Sequence, residues 1–380
     1  MNNMMEPKIR FKGFEGEWKE EQLSEISSSI ASGKNIDHKG SYPLYGSTGI
    51  IGTTDKTYHE GPMLLVARVG ANAGFLQLVN EKCGVSDNTL IVKPKDPVTD
   101  NYLFQYFKFF NLNRFIYGSG QPLITGGMLK KMPVRYGLKE ERESLIDYFT
   151  TLDSQISAST SRLASLKQMK AASLQAMFPQ EGETVPKIRF KEFEGEWKKV
   201  SFKDFTFHAG TKNRDNLPLE SYSISNEFGF IPQNEQFENG GTMTQADKRM
   251  YYIVSPNSFA YNPARINVGS LGYYEGKEDV IVSSLYEVFK TDDTICDKFL
   301  LYWFKTDIFQ KMIEQFQEGG VRLYFFYDKM CKCSLMRPPL AEQQAIASYF
   351  TSLDRQISLQ SQRLEKLKQI KSACLDKMFV

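Results

Sequence analysis

The side chains of this chain best suited to reading the edge of a base sit in a few loops built of small residues. Ala67-Arg68-Val69-Gly70-Ala71-Asn72-Ala73-Gly74 places Arg68 and Asn72 where a backbone can approach a ligand closely, and Pro263-Ala264-Arg265-Ile266-Asn267-Val268-Gly269-Ser270 does the same for Arg265 and Asn267. A second matched pair is Gly118-Ser119-Gly120-Gln121 and Gly319-Gly320-Val321-Arg322-Leu323-Tyr324, which offers Gln121, Arg322 and Tyr324. Tyr45-Gly46-Ser47-Thr48-Gly49 adds Tyr45 and Ser47. Arg, Asn and Gln can form bidentate hydrogen bonds with base edges, while Ser, Tyr and backbone amides position phosphates. Each of these residues alone suits an ordinary turn at least as well; the Arg-, Asn- and Gln-bearing loops are singled out by occurring in matched pairs, while the Tyr45–Gly49 loop is a further polar loop of the first domain.

Other chemistry lacks its materials. The three histidines (His38, His59 and His208) are isolated in sequence, which starves acid–base, triad and metal sites. The five cysteines form no C-x-x-C pair, and Cys331-Lys332-Cys333 has no second ligand pair nearby, so reduced thiols and no metal are expected. No phosphate-binding loop and no G-x-G-x-x-G is present. Asn262-Pro263 is similar to the start of the Asn-Pro-Pro-aromatic tetrad of amino-methyltransferases, but Ala264-Arg265 follows it. The chain is expected to catalyse nothing and to hold no cofactor.

The elements that must position these loops are repeated. Residues 7–19 (PKIRFKGFEGEWK) and 186–198 (PKIRFKEFEGEWK) agree at twelve of thirteen positions. Residues 148–178 and 349–379 agree at 18 of 31. Two matching blocks in the same order define an A–B–A′–B′ chain. Between the blocks only traces survive: Ala67-Arg68 with Ala264-Arg265, Val85-Ser86 with Val282-Ser283, Gly120 with Gly320. The two intervening domains thus read as one frame carrying two different surfaces.

The second block is helical. Leu145, Phe149, Leu152, Ile156, Ser159, Leu163 and Leu166 follow a 4-3 spacing, repeated by Ile346, Phe350, Leu353, Ile357, Gln360, Leu364 and Leu367. An average of 3.5 residues is a coiled-coil seam, with Ser159 and Gln360 as its polar members. A helix of this kind is about 46 Å long, too thin to stand alone, and two matching seams in one chain predict mutual pairing. The first helix runs from domain one to domain two and the second returns, so the pair is expected to be antiparallel, with pseudo-two-fold symmetry. Its length would bridge DNA half-sites about 34–36 Å apart.

The expected class is therefore α+β: recognition domain 1 at 1–140, spacer helix 1 at 141–178, a linker at 179–185, recognition domain 2 at 186–340, and spacer helix 2 at 341–380. Short strands are expected at 63–66, 89–92, 251–254 and 279–288, with helices at 102–110 and 299–316. The net charge of +2 over 380 residues announces no nucleic-acid binder. Residues 19–140 hold 14 Lys+Arg against 11 Asp+Glu, and residues 198–340 hold 17 against 18. No apolar run approaches the ~20 residues of a membrane span and the start lacks a signal-peptide core, so a cytoplasmic protein with no membrane partner is expected. A protein–protein adaptor, two binding domains on a coiled-coil spacer, is the competing reading, favoured by the weak charge.

The chain resembles the specificity subunit of type I restriction–modification systems over essentially its whole length. The resemblance rests on the two PKIRF-x-x-F-E-G-E-W openings, Pro338-Pro339-Leu340-Ala341-Glu342-Gln343, and the repeated F-T-x-L-D-x-Q-I-S helix from Phe149 and Phe350. The first lead-in departs from it: Gly137-Leu138-Lys139-Glu140-Glu141-Arg142 stands where P-P-L-x-E-Q is usual, with Glu141 aligned to Glu342. The resemblance implies two target recognition domains, each reading half of a bipartite asymmetric sequence in double-stranded DNA. It also implies helices that set the spacer and dock two methyltransferase subunits, and two motor-nuclease subunits completing the complex. S-adenosylmethionine, ATP and magnesium would belong to those partners.

Overall fold

The computed structural model describes residues 5–34, 39–115, 122–236 and 247–380. Two compact units emerge, Met1–Ser161 with Ser361–Val380, and Arg162–Gln360. The long helices are Lys139–Ala176 and Leu340–Met378, and each gives its first half to one unit and its second half to the other. Among the described residues no helix is long and apolar enough to cross a membrane.

Each unit is built to the same α+β plan. In the first, a four-stranded antiparallel sheet contains the wholly buried strand Met63–Ala67 between Thr89–Pro94 and Leu76–Val79. A second, mixed sheet pairs Tyr42–Gly46 with Gly49–Thr54 and Lys82–Val85. In the second unit, the buried strand Ser258–Tyr261 holds the central position, and a five-stranded sheet carries the hairpin Ser221–Ser225 and Gly229–Pro232. Both units also pair the strand after the opening block with the strand before the long helix: Lys19–Gln22 with Pro133–Tyr136, and Lys198–Ser201 with Ser334–Arg337. Entry and exit of each recognition domain are thereby held side by side.

In both units the repeated opening block grips a buried glutamate at the start of a long helix. Arg10 forms a bidentate pair with Glu141 (2.6 and 2.8 Å) and donates a third bond to the Gly16 carbonyl (2.6 Å), while the Trp18 indole N–H donates to the same carboxylate at 3.2 Å. In the second unit Arg189 grips Glu342 at 2.7 and 2.8 Å, reaches the Gly195 carbonyl at 2.6 Å, and Trp197 donates at 3.3 Å. A buried carboxylate at the helix start is satisfied by a planar fork and an indole, geometry that lysine cannot reproduce. The first long helix begins at Lys139 despite its unusual lead-in. Gly137 makes room for it: a Cβ there would lie 2.0 Å from Glu141 Oε2. Where the second unit uses buried Gln343 to bind Cys296 N, Thr294 O and Pro338 O, the first uses Arg142, bonded to Thr99 Oγ1 at 2.6 Å.

The helix halves pair antiparallel within each unit. In the first, Tyr148 meets Cys374 and Asp153 meets Lys371, so positions rise along one helix as they fall along the other. In the second, Tyr349 meets Ser173 and Asp354 meets Lys170 at 2.5 Å. Every apolar seam position is buried or half-buried: Phe149, Leu152, Phe350, Leu353 and Leu364 are buried, and Ile156, Leu163, Leu166, Ile357 and Leu367 half-buried. The aspartates that follow the seam leucines Leu152 and Leu353 also bind helices of the α+β domains. Asp153 accepts from Gln105 at 3.1 Å and lies 3.5 Å from Lys108, and Asp354 accepts from Tyr302 at 3.0 Å. Burial and the nearby Lys371 charge push the Lys108 ammonium down to about 8.

Two expected elements are broken. The run 279–288 is two strands, Val280–Val282 and Glu287–Thr291, because Tyr286 N turns back to the Ser283 carbonyl (3.1 Å). The stretch 299–316 is two helices, Asp297–Trp303 and Asp307–Phe316; the Thr306 hydroxyl bonds the Trp303 carbonyl (2.7 Å) and closes the first. The break lets Trp303, Phe304 and Phe309 pack edge-on or tilted against one another with centroids 4.7–5.7 Å apart.

Asp100 gives a pH test. It is 3% exposed, its Oδ1 has no hydrogen-bond partner among the described residues, and burial followed by the Asp96 charge raises its carboxyl to about 6. A raised carboxyl favours the folded state while protonated, so its contribution is present below about pH 4 and is lost as pH rises through 6. Asp100→Asn is therefore expected to gain stability relative to the parent between pH 4.5 and 7.5, read as a widening difference in Tm. A difference independent of pH would contradict this.

Candidate nucleic-acid interface

In each unit the candidate loops leave the buried strand and are tied to one another by backbone bonds. In the first, Arg68 N donates to Asn88 O (3.1 Å), Ile124 N to Arg68 O (2.7 Å), and Gly70 N to Pro122 O (3.0 Å). The loop 68–74 thus lies between 86–88 and 122–124. It is closed by Gly74 N to Ala67 O at 2.8 Å, with Gly74 at φ +89° and no space for a Cβ beside Asn113 Oδ1. The hairpin turn at 47–48 joins the group through Ser47 Oγ, which donates to Asn88 O at 3.3 Å.

The first unit's candidates differ in availability. Asn72 is exposed in a 3-10 turn at Gly70–Asn72. Arg68 is half-buried, one guanidinium nitrogen donating to Ser32 Oγ (3.3 Å), and its buried Nε has no partner among the described residues. Tyr45 is engaged within the protein, its hydroxyl donating to Glu81 at 2.7 Å; burial, then that bond, raise the phenol to about 12. Gln121, with the loop 118–121, lies outside the described residues.

The second unit brings its two matched loops together through Phe325 N to Pro263 O (3.0 Å). Loop 262–270 is closed by Asn262 N to Ser270 O (3.0 Å) and anchored by buried Ile266, leaving Arg265, Asn267 and Val268 exposed. Gly269 takes the left-handed conformation, φ +91°, that this reversal requires. Loop 319–323 is a short finger closed at its base by two backbone bonds between Glu318 and Tyr324, 2.9 and 2.8 Å. Tyr324 is half-buried and stacks on Phe326 at 5.5 Å, and Arg322 is exposed.

The hairpin turn 226–228 completes this face, and sequence reasoning missed it. Asn226 and Glu227 line a polar cavity of about 410 Å³ with Asn262, Arg265, Ser270 and Tyr286. Its floor is fixed by Ser270 Oγ donating to Ile224 O at 2.9 Å. The adjacent Ser283-Ser284-Leu285 turn is the counterpart of 86–88, and the Val85-Ser86 and Val282-Ser283 match was the one signal that pointed to it. The arrangement offers exposed donors and acceptors on rigid backbones around a concave surface. Among the described residues no group of three His, Cys, Asp or Glu is placed to hold a metal ion.

The family model of the type I restriction modification DNA specificity domain matches this chain twice, at residues 15–168 and 195–369. A type I restriction enzyme EcoprrI specificity subunit from Escherichia coli is 26% identical over 159 residues, 39% of this chain and 40% of that protein. A putative type I restriction enzyme specificity subunit from Haemophilus influenzae is 23% identical over 155 residues, 38% and 40% of the two chains. The chain thus spans about 40% of the length of the curated relatives it matches. Among solved structures, the S subunit of a type I restriction–modification system from M. genitalium superposes with a TM-score of 0.64 at 13% identity, covering 99% of each chain. A chain from a study of complex assembly and conformational transition in the type I R-M system gives 0.50 at 13% identity, covering 95% of this chain and 97% of that one. At these identities the structural likeness speaks for the fold.

Proposed function

Because this chain belongs to the type I restriction modification DNA specificity family, matched in both halves, we propose that it is the non-catalytic, sequence-reading subunit of a restriction–modification complex. Each unit's loop cluster reads one half of a bipartite asymmetric target in double-stranded DNA. The paired helices set the spacer between the halves and dock two methyltransferase subunits, with two motor-nuclease subunits completing the assembly. The observation that carries this reading is the repeated convergence of loops: two differently sequenced surfaces, Arg68 and Asn72 in one and Arg265, Asn267 and Arg322 in the other, stand on the same frame. Weak net charge agrees with a reader that shares the phosphate grip with its partners, since phosphate contacts supply affinity and base contacts supply choice. Protonated Tyr45, bound to Glu81, is best read as support for its turn, leaving Ser47, Arg68 and Asn72 as the described contact candidates of the first site.

Exchanging residues 19–140 for the matching domain of a relative, then sequencing the methylated sites, is expected to change one half of the target and leave the other half and the spacer intact. Change in both halves or in neither would overturn the assignment. Selection of no sequence at all from a random duplex library would favour the adaptor.

A further inference from the structure

The second reading face is unusually apolar at its tips. Val321 is 104% exposed at the end of the 319–323 finger, with Leu323 beside it at 44%. Leu285 (75%), Phe228 (71%) and Val268 (52%) project from the neighbouring turns. Monomers scatter single apolar residues over their surfaces, but Val268, Val321 and Leu323 occupy the loops that carry Arg265, Asn267 and Arg322. The finger is also braced. Glu318 and Tyr324 close its base, Lys329 Nζ binds Glu318 at 2.6 Å, and Tyr324 stacks on Phe326. Gly319, at φ +135°, turns the chain where a Cβ would meet the Arg322 carbonyl at 2.1 Å, and Gly320 has open space on every side. A stiff support has been made for side chains that stay exposed among the described residues.

On a duplex, the apolar feature that distinguishes one base pair from another is the thymine C5-methyl group in the major groove. We infer that the 319–323 finger reads a thymine methyl, with Val321 and Leu323 as the contacting side chains and Arg322 between them directed to a neighbouring base edge or phosphate. The inference rests on the proposed DNA-reading function. It adds that the half-site read by the second unit contains a thymine recognised by its methyl, not only by its hydrogen-bonding groups.

Deoxyuridine removes that methyl and leaves the pairing and groove hydrogen bonds in place. The subunit assembled with its methyltransferase would be titrated against the duplex identified by methylation sequencing, with each thymine of the half-site on both strands replaced singly by deoxyuridine. One position is expected to weaken binding roughly three- to ten-fold, the effect of exposing one methyl-sized group. With Val321→Ser or Leu323→Ser that same position is expected to become indifferent to the methyl. A half-site without thymine, no sensitive position, or sensitivity unchanged in both variants overturns the inference. These outcomes leave the reading function itself untouched, because the exchange of residues 19–140 tests that separately. Val321 is fully exposed, so its serine variant tests contact and not folding.

Discussion

Phe379→Ala is expected to destabilise the first unit strongly while leaving the second largely intact. Phe379 is 3% exposed, and its ring sits among Trp18, Tyr102, Tyr106, Phe109 and Phe149, with centroids 5.6–6.3 Å away. All five belong to the first unit, as does the final stretch of the second long helix. Truncating a buried phenylalanine costs about 3–5 kcal/mol, the lost transfer energy plus the cavity left behind. Phe178 provides the control, being packed against Trp197, Phe299 and Phe350 in the second unit. Hydrogen exchange measured along Met63–Ala67 and Ser258–Tyr261 separates the two. Phe379→Ala is expected to speed exchange in Met63–Ala67 by roughly two to three orders of magnitude, and Phe178→Ala to do so in Ser258–Tyr261. A loss confined to the last helical turn, or equal in both strands, would contradict the shared-core account.

The two long helices were legible in the sequence because their information is local and repeated. The 4-3 spacing from Leu145 to Leu166 and from Ile346 to Leu367 names the buried face without knowledge of the partner. The opening blocks were legible as repeats but not as chemistry. That Arg10 and Trp18 converge on one carboxylate depends on a contact between segments far apart in the chain. The candidate loops were visible where Arg and Asn stood among glycines in matched pairs. The turn at Asn226-Glu227-Phe228 was not, because its counterpart at 46–48 shares no residue with it, and a surface that differs between repeats leaves no repeat to find. Helix 299–316 was misread for a related reason: an aromatic-rich run satisfies helical periodicity throughout, and only the packing of Trp303 against Phe309 requires the chain to break at 304–306.

Arg189→Ala is expected to destabilise the second unit by about 3–5 kcal/mol, and the larger part of that cost belongs to what is left behind. The Glu342 side chain is 0% exposed, and among the described residues the guanidinium is its only charged partner at hydrogen-bond distance. Removing Arg189 leaves a buried carboxylate with the Trp197 indole at 3.3 Å and no compensating charge among the described residues. The pair itself contributes far less than the single variant suggests, because desolvating both ions offsets most of their attraction. The double variant Arg189→Met with Glu342→Met removes both charges and keeps apolar bulk, so it is expected to lie within about 1–2 kcal/mol of the parent. Arg189→Lys is expected to fall between, since an ammonium cannot span both carboxylate oxygens and still reach the Gly195 carbonyl. Urea unfolding of the four proteins, followed by hydrogen exchange in Ser258–Tyr261, gives the ordering directly. If the single and double variants lost equal stability, Arg189 would be acting through its own packing, and the buried carboxylate would not be what the repeated opening block exists to satisfy. The matched set at Arg10 and Glu141 is expected to give the same ordering in Met63–Ala67, because the fork and the indole donate to the carboxylate, and the fork also to a glycine carbonyl, in the same way there.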